Sequence, residues 1–200
     1  MYTVLRATSK TLAGYLEQQF QADTVLRTFF SSGGGMVVSL NTPEEMNENN
    51  TQGLSVWLYR VVRDDQRLND PPRRLSPDQS LQPPLPVRLH YLITPITASN
   101  QSASPETEQL ILGKVLQAFH SHPELRGTDL KAELAGTDAE LHILLETMSL
   151  EEITRVWEAL EGSYQLSVTY EVSLVNIEAA IEPERTTPVE VVAPEYGLIT

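Results

Sequence analysis

The sequence predicts an α+β domain, with a mixed β-sheet, helices packed mainly on one face and an extended C-terminal tail. Three observations carry this expectation. Pro86 and Pro95 bracket the run Val87-Arg88-Leu89-His90-Tyr91-Leu92-Ile93-Thr94. Proline lacks the N–H of a ladder and holds its predecessor extended, so the run reads as a strand with a stop at each end. Its near-continuous apolar centre implies burial on both faces. Second, Leu5, Leu12, Tyr15, Leu16 and Phe20 recur at near-helical spacing, with Arg6, Lys10, Glu17 and Gln18 off the stripe, as in a helix lying on a sheet. Third, Ser149-Leu150-Glu151-Glu152 is a capping box, in which Ser149 accepts from the backbone of Glu152 while Glu152 reaches back.

The remaining elements follow in order. Thr24–Phe30, rich in β-branched and aromatic residues, is expected to begin a strand, and Ser31-Ser32-Gly33-Gly34-Gly35 to break it. The glycine cluster lacks the Lys-Ser/Thr of a phosphate loop and reads as a turn. Met36–Leu40 and Leu54–Val62 read as strands, separated by a polar loop over Thr42–Gly53. Arg63–Gln82 is almost devoid of apolar residues and reads as a long polar loop, with Asp64-Asp65 and Arg73-Arg74 as its charged pairs. After the proline-bracketed strand and a second polar loop, Ser104-Pro105-Glu106 opens a helix carrying Leu112, Val115, Leu116 and Phe119 as a stripe and stopped by Pro123. Leu130–Leu134 and Glu140–Glu146 are strand candidates. The capped helix presents Ile153, Val156, Trp157 and Leu160 and is expected to close on Gly162 as a left-handed cap. Tyr164–Ile177 reads as one long strand with Leu166, Val168, Tyr170, Val172 and Leu174 on one face. Beyond Ile181, Pro183, Pro188 and Pro194 interrupt an extended segment, so the expected organisation is a domain over 1–180 and a tail over 181–200.

Composition narrows the function classes. The chain of 200 residues has no cysteine, which removes disulfides, thiolate chemistry and Cys-based metal sites and suits assembly in a reducing cytoplasm. No window approaches a membrane span and the N-terminus lacks the pattern of a signal peptide, so a soluble chain without membrane contact is expected. The net charge of −13 is placed unevenly: residues 1–100 balance nine acids with nine bases, whereas residues 101–200 hold eighteen acids and five bases. Such a surface repels phosphate backbones, which argues against nucleic-acid binding; it serves solubility or meets a basic partner.

A catalytic constellation is missing. His120 and His122 are two apart at a helix end, not the three or four that a helical metal pair needs. His90 lies mid-strand, where a packed or hydrogen-bonded imidazole is the ordinary case. His142 stands near Glu140, and pairing alone does not make a dyad. No nucleophile elbow, zinc-protease motif, dinucleotide fingerprint or phosphate loop is present. The expectation is a chain with no catalytic residue, no cofactor and no metal.

Several blocks, in order, resemble the cap or tube-terminator proteins of phage-tail-like contractile injection systems. They are Leu58-Tyr59-Arg60-Val61, the segment Pro83–Pro95, Glu108 and Leu110 with Leu112–His120, Leu150–Trp157, and Tyr164–Val172, together covering roughly residues 1–178. The resemblance implies a phage tail-terminator-like fold and a structural role. A homo-hexameric ring would sit on the inner tube at the end far from the baseplate, stop tube and sheath polymerisation and join the terminal tube and sheath rings. It implies self-association, inner tube protein and sheath protein as partners. In such a ring the polar segment would lie on a partner-facing edge, which makes Asp64, Asp65, Arg67, Arg73 and Arg74 candidate contacts; a surface hairpin without a partner is the alternative. The alternating tail contributes Val189, Val191, Val192 and Tyr196, expected to add to an exposed sheet edge of the sheath. Two other classes stay open: a different tail-end adaptor or neck component of the same kind of particle, and a carboxylate-dependent hydrolase.

Overall fold

The computed structural model describes residues 2–68, 71, 73–76, 79–97, 104–178, 180 and 184–185. In chain order its elements are α1 (Val4–Ala22), α2 (Arg27–Phe30), β1 (Val37–Ser39), α3 (Pro43–Glu48), β2 (Gly53–Arg63), β3 (Arg73–Ser76), β4 (Gln79–Leu81), β5 (Leu85–Ile96), α4 (Ser104–Ser121), β6 (Glu124–Arg126), β7 (Glu140–Leu145), α5 (Leu150–Ala159), β8 (Val168–Ile177) and β9 (Glu184–Arg185). Six strands form one sheet in the order β1-β2-β5-β8-β7-β6. The β1–β2 pairing is parallel and the others antiparallel, so the sheet is mixed as expected. A separate small sheet, β3-β4-β9, was not anticipated.

β5 is the central strand, and it runs through both prolines instead of stopping at them. The register explains how. The pairing with β2 ends at Arg63↔Val87, so Pro86 has a partner only on the β8 side, Asn176. The pairing with β8 ends at Ile93↔Val168, so Pro95 has a partner only on the β2 side, Leu54. Each proline thus sits where the strand is locally an edge, the position at which a missing N–H is tolerated.

Alternation along β5 sorts its side chains between two cores. Val87, Leu89, Tyr91 and Ile93 join the main core, with Leu54 and Val56 of β2 and Tyr170, Val172 and Val175 of β8. The two long helices cover this face: α1 supplies Leu12, Tyr15, Leu16 and Phe20, and α4 supplies Ile111, Val115 and Phe119. Aromatic rings tie the layers, with Phe119 edge-on to Tyr170 at 4.9 Å and stacked on Tyr15 at 6.0 Å. The only polar atoms of β5 entering this layer from its side chains are satisfied, since the Tyr91 hydroxyl lies 2.9 Å from Ser9 Oγ. Burial pushes the Tyr91 phenol up, and burial also takes Tyr170 to about 12.

On the opposite face Leu92 packs with Ile153 and Trp157 of α5, flanked by Trp57, Tyr59, Val156 and Leu160. The capping box forms as expected: Ser149 Oγ accepts from Glu152 N at 3.3 Å, and Ser149 N donates to Glu152 Oε2 at 2.8 Å. The Ser149 N–H first, then the Ser149 hydroxyl, which donates to Glu152 Oε2 at 2.8 Å, hold the Glu152 carboxyl below the usual carboxylate range. The helix ends in a Schellman motif, with Glu161 N to Glu158 O and Gly162 N to Trp157 O. The left-handed residue is Glu161 at φ 55°, not Gly162. A Cβ at Gly162 would meet only the carboxylate end of Glu44, Oε2 at 2.8 Å, which can swing aside.

Other expectations are corrected. Thr24–Phe30 forms no strand: Asp23 Oδ1 accepts from Val25 N and Leu26 N at 2.9 and 3.1 Å, starting the turn that leads into α2. Phe30 then stacks on Phe20 at 4.4 Å. Thr42–Gly53 contains α3, opened by a second capping box between Thr42 and Glu45 that the sequence carried in Thr42-Pro43-Glu44-Glu45. Leu130–Leu134 is not a strand but lies at two 3-10 turns, Gly127–Asp129 and Ala132–Leu134, with Lys131 N donating to Thr11 Oγ1 of α1 at 3.0 Å. β8 begins at Val168, not Tyr164, and just before it Ser167 Oγ accepts from the indole N–H of Trp157 at 3.3 Å.

A bulge corrects the inward face of β8. Val87↔Val175 and Leu89↔Val172 leave Ser173 and Leu174 opposite the single residue Arg88, and Leu174 sits at φ 64°. The extra residue moves Val175, not Leu174, into the main core.

Two substitutions test this packing. Gly53 lies at φ 136°, and a Cβ there would fall 1.9 Å from Val37 O, so Gly53→Ala should force β1 off β2. The expected cost exceeds about 1 kcal/mol, read as a lower urea midpoint; an unchanged midpoint would contradict the parallel pairing. Ser149→Ala should cost about 1 kcal/mol through the lost cap, and Glu152→Ala should then add little in the double variant. Fully additive losses would show that the two groups do not form one box.

Candidate partner-facing site

The candidate contacts fall into one described group and one undescribed. β2 ends at Arg63 and turns through a 3-10 turn, Asp65–Arg67, whose N-cap is Asp64. Asp64 is only 6% exposed; its Oδ1 accepts from Gln66 N at 3.2 Å and pairs with Arg88 at 3.5 Å, while its own N–H donates to Pro86 O. It therefore clamps the turn to β5. Asp65 is exposed and its Oδ1 accepts from Arg63 Nε at 2.8 Å. Arg67 is half-buried and donates from Nη1 to Asn176 Oδ1 of β8 at 3.3 Å. Past the turn, Arg73 and Arg74 lie on the β3–β4 hairpin opposite Leu81 and Ser80, and Arg74 is exposed. The segment expected to be a long loop is therefore partly ordered, and β9 pairs against it through Gln79↔Arg185 and Ser80↔Glu184. Val189, Val191, Val192 and Tyr196 lie outside the described residues.

The sequence reading missed a polar cluster on the sheet face that the long helices leave open. Arg88 and His90 alternate with the core residues of β5 and so share this face with Leu92. Arg88 reaches Asp64 at 3.5 Å and Glu171 of β8 at 3.4 Å. His90 Nδ1 lies 2.8 Å from Glu146 Oε1, and the Tyr59 hydroxyl donates to Glu146 Oε2 at 3.5 Å. Glu146 itself is pinned by its N–H to Thr169 O at 2.9 Å. Burial first, then the Glu146 charge, pushes the Tyr59 phenol up to about 12, so it stays a neutral donor across the ordinary pH range. Bulges on both neighbours flank the cluster: Tyr59 is the extra residue of β2, and Ser173–Leu174 the extra pair of β8. The available signal was the period-2 placement of Arg88 and His90 beside core residues, which puts two ionisable groups on one half-covered face.

Among the described residues two groups offer ligand atoms within 4.8 Å of one another, His90–Glu146–Glu171 and Glu124–Glu140–His142. In the first, Glu146 is engaged by His90 and Tyr59 and Glu171 by Arg88; in the second, His142 lies 3.6 Å from Glu140 and 3.8 Å from Glu124 on an exposed edge. The first group links β5 and β8 to the residue after β7 and the second links β6 to β7, and neither presents an activated nucleophile beside a base. His122 packs its ring 6.1 Å from Tyr15, while its N–H, not its imidazole, caps Ala118 O. Among the described residues no helix is long and apolar enough to cross a membrane.

Comparison with known proteins places this geometry. Overlay on solved structures finds relatives in fold, among them two tube-terminating proteins. One is the PVC sheath/tube terminator in its extended state, from a cryo-EM structure of an extracellular contractile injection system, at a TM-score of 0.60 and 18% identity. The other is the anti-feeding prophage cap, an AFP tube terminating cap also seen by cryo-EM, at a TM-score of 0.60 and 19% identity. The overlays cover 100% and 98% of this chain but 64% and 61% of theirs, so the chain spans somewhat less than two thirds of their length. A search of the curated proteins found no match. The sequence itself matches the Pvc16 N-terminal domain over residues 7–190, from the second turn of α1 past β9, and on that match the chain belongs to the Pvc16 N-terminal domain family.

Proposed function

We propose that this chain is a structural cap of a contractile injection particle. The observation that carries the reading is the family match over residues 7–190, made on a chain that overlays two tube-terminating proteins over 100% and 98% of its length. In this reading six copies close a ring on the end of the inner tube away from the baseplate. The ring ends tube and sheath polymerisation and joins the last tube ring to the last sheath ring. A head-to-tail interface provides such closure without a two-fold axis. The work is mechanical, so no substrate, cofactor or metal enters it, and assembly takes place in the cytoplasm of the producing cell.

Residues 1–180 form the cap domain in this proposal, and 181–200 form an arm that reaches a neighbouring subunit. The domain presents its acidic part, fourteen acids against four bases over residues 101–180, and the charged turn and hairpin at 63–82 to those neighbours. Support for placing 63–82 at an interface is that it combines exposed Asp65 and Arg74 with a rigid base, since Asp64 and Arg67 anchor it to β5 and β8.

Leaving the chain out of particle assembly should give tubes and sheaths of uncontrolled length, and a gold-labelled chain should mark the end opposite the baseplate in electron micrographs. Label at the baseplate, or tubes that keep a fixed length without the chain, would overturn the proposal.

A further inference from the structure

β6 protects only part of the outer edge of β7. Its pairing covers Arg126↔Glu140, Leu125↔Leu141 and Glu124↔His142 and goes no further. The next outward donor, Ile143 N, is taken by Pro123 O at 2.7 Å, and Glu146 N turns inward to Thr169 O at 2.9 Å. Peptide groups alternate in direction along a strand, so the N–H and C=O of Leu145 point outward. Among the described residues no strand lies beyond them. Leu144 and Leu145 are 56% and 55% exposed, although both lie in a regular strand. Beside this edge runs a groove of about 630 Å³ lined by Leu116, Phe119, Pro123, Ile143, Leu145 and Tyr170. An open strand edge next to an apolar groove suits an added strand: its backbone meets the outward peptide groups and its alternate side chains enter the groove.

We propose that this site receives the segment Val189-Glu190-Val191-Val192 of a second copy of the chain. The segment has the required period of two, with Val189 and Val191 facing the groove and Glu190 facing water. Reach decides between the chain's own tail and another copy's. Leu145 stands opposite Tyr170, whereas β8 ends seven residues later at Ile177, roughly 23 Å along the strand. From there the chain is held on β4, the strand leading into Leu85 at that far end, through Glu184 and Arg185. Four residues from Arg185 to Val189 span at most about 14 Å. A tail tethered at that end meets a neighbour's edge instead of its own. This inference rests on the proposal that copies of the chain assemble, and it assigns the arm to cap–cap contact instead of to the sheath.

Because the chain lacks cysteine, thiol trapping has no background. Full-length Leu144→Cys is mixed with a size-tagged Glu190→Cys chain under a mild oxidant, since both positions lie on the solvent side of the added strand, with Leu144→Cys plus Thr24→Cys as the control pair. The inference expects a mixed disulfide dimer at about tenfold or more over the control, as for thiols held at mM effective concentration. Adding Leu145→Lys, an exposed change that leaves the core intact, should return the yield to the control level. Yield equal to the control overturns the proposal. So does an internal disulfide in the monomeric Leu144→Cys/Glu190→Cys chain without the mixed dimer, which would show the tail on its own groove. Trapping reads contact between copies whether or not they sit on a tube, so its failure is distinct from failure of the cap reading.

Discussion

The rest of the molecule depends on β5 being buried on both faces with a neighbour on each side. Leu89, Tyr91, Leu92 and Ile93 are each 0% exposed, and side chains of this kind contribute about 1.5–3 kcal/mol apiece when fully buried. That one strand supplies the floor for two cores at once: α1 and α4 on its Leu89–Tyr91–Ile93 side, α5 on its Leu92 side. It also sets where pairing ends, because each proline lies where one neighbour has already stopped.

The same alternation creates the polar face. Once Leu89 and Tyr91 point into the main core, Arg88 and His90 must point the other way, beyond the reach of Leu92 and Trp157. Ionisable groups on a half-covered face need partners, and here Asp64, Glu171 and Glu146 supply them. Those partners come from the turn after β2, from β8 and from the residue after β7, so the ion pairs stitch the end of the sheet to the base of the β3–β4 hairpin. The bulges at Tyr59 and Ser173–Leu174 give the twist that brings these groups together. The charged turn is thereby anchored to the end of the sheet through Asp64 and Arg67.

Local chemistry made part of this legible in the sequence. The Ser149–Glu152 box, the Ser104-Pro105-Glu106 helix start, the α1 stripe and the central strand each rest on spacing within a few residues, and all appear in the fold. Tertiary effects hid the rest. The strand propensity of Thr24–Phe30 lost to the Asp23 turn and to Phe30 packing on Phe20. Leu174 was misplaced because a bulge, invisible in a period-2 pattern, advances Val175 into the core. The candidate site was half legible: the charged run at 63–82 could be seen, but the inward role of Asp64 depends on Arg88, twenty-four residues away. The second capping box at Thr42 was readable and was overlooked in a polar segment.

The account's central claim is that this fold serves assembly on a tube. The family match and the overlays support it through the domain as a whole, and no single residue carries it. The most direct measurement is the native mass of the purified full-length chain, alone and mixed with its inner-tube protein. The account predicts a species of six copies that forms only or mainly when tube protein is present. A chain that stays monomeric in the presence of tube would contradict it.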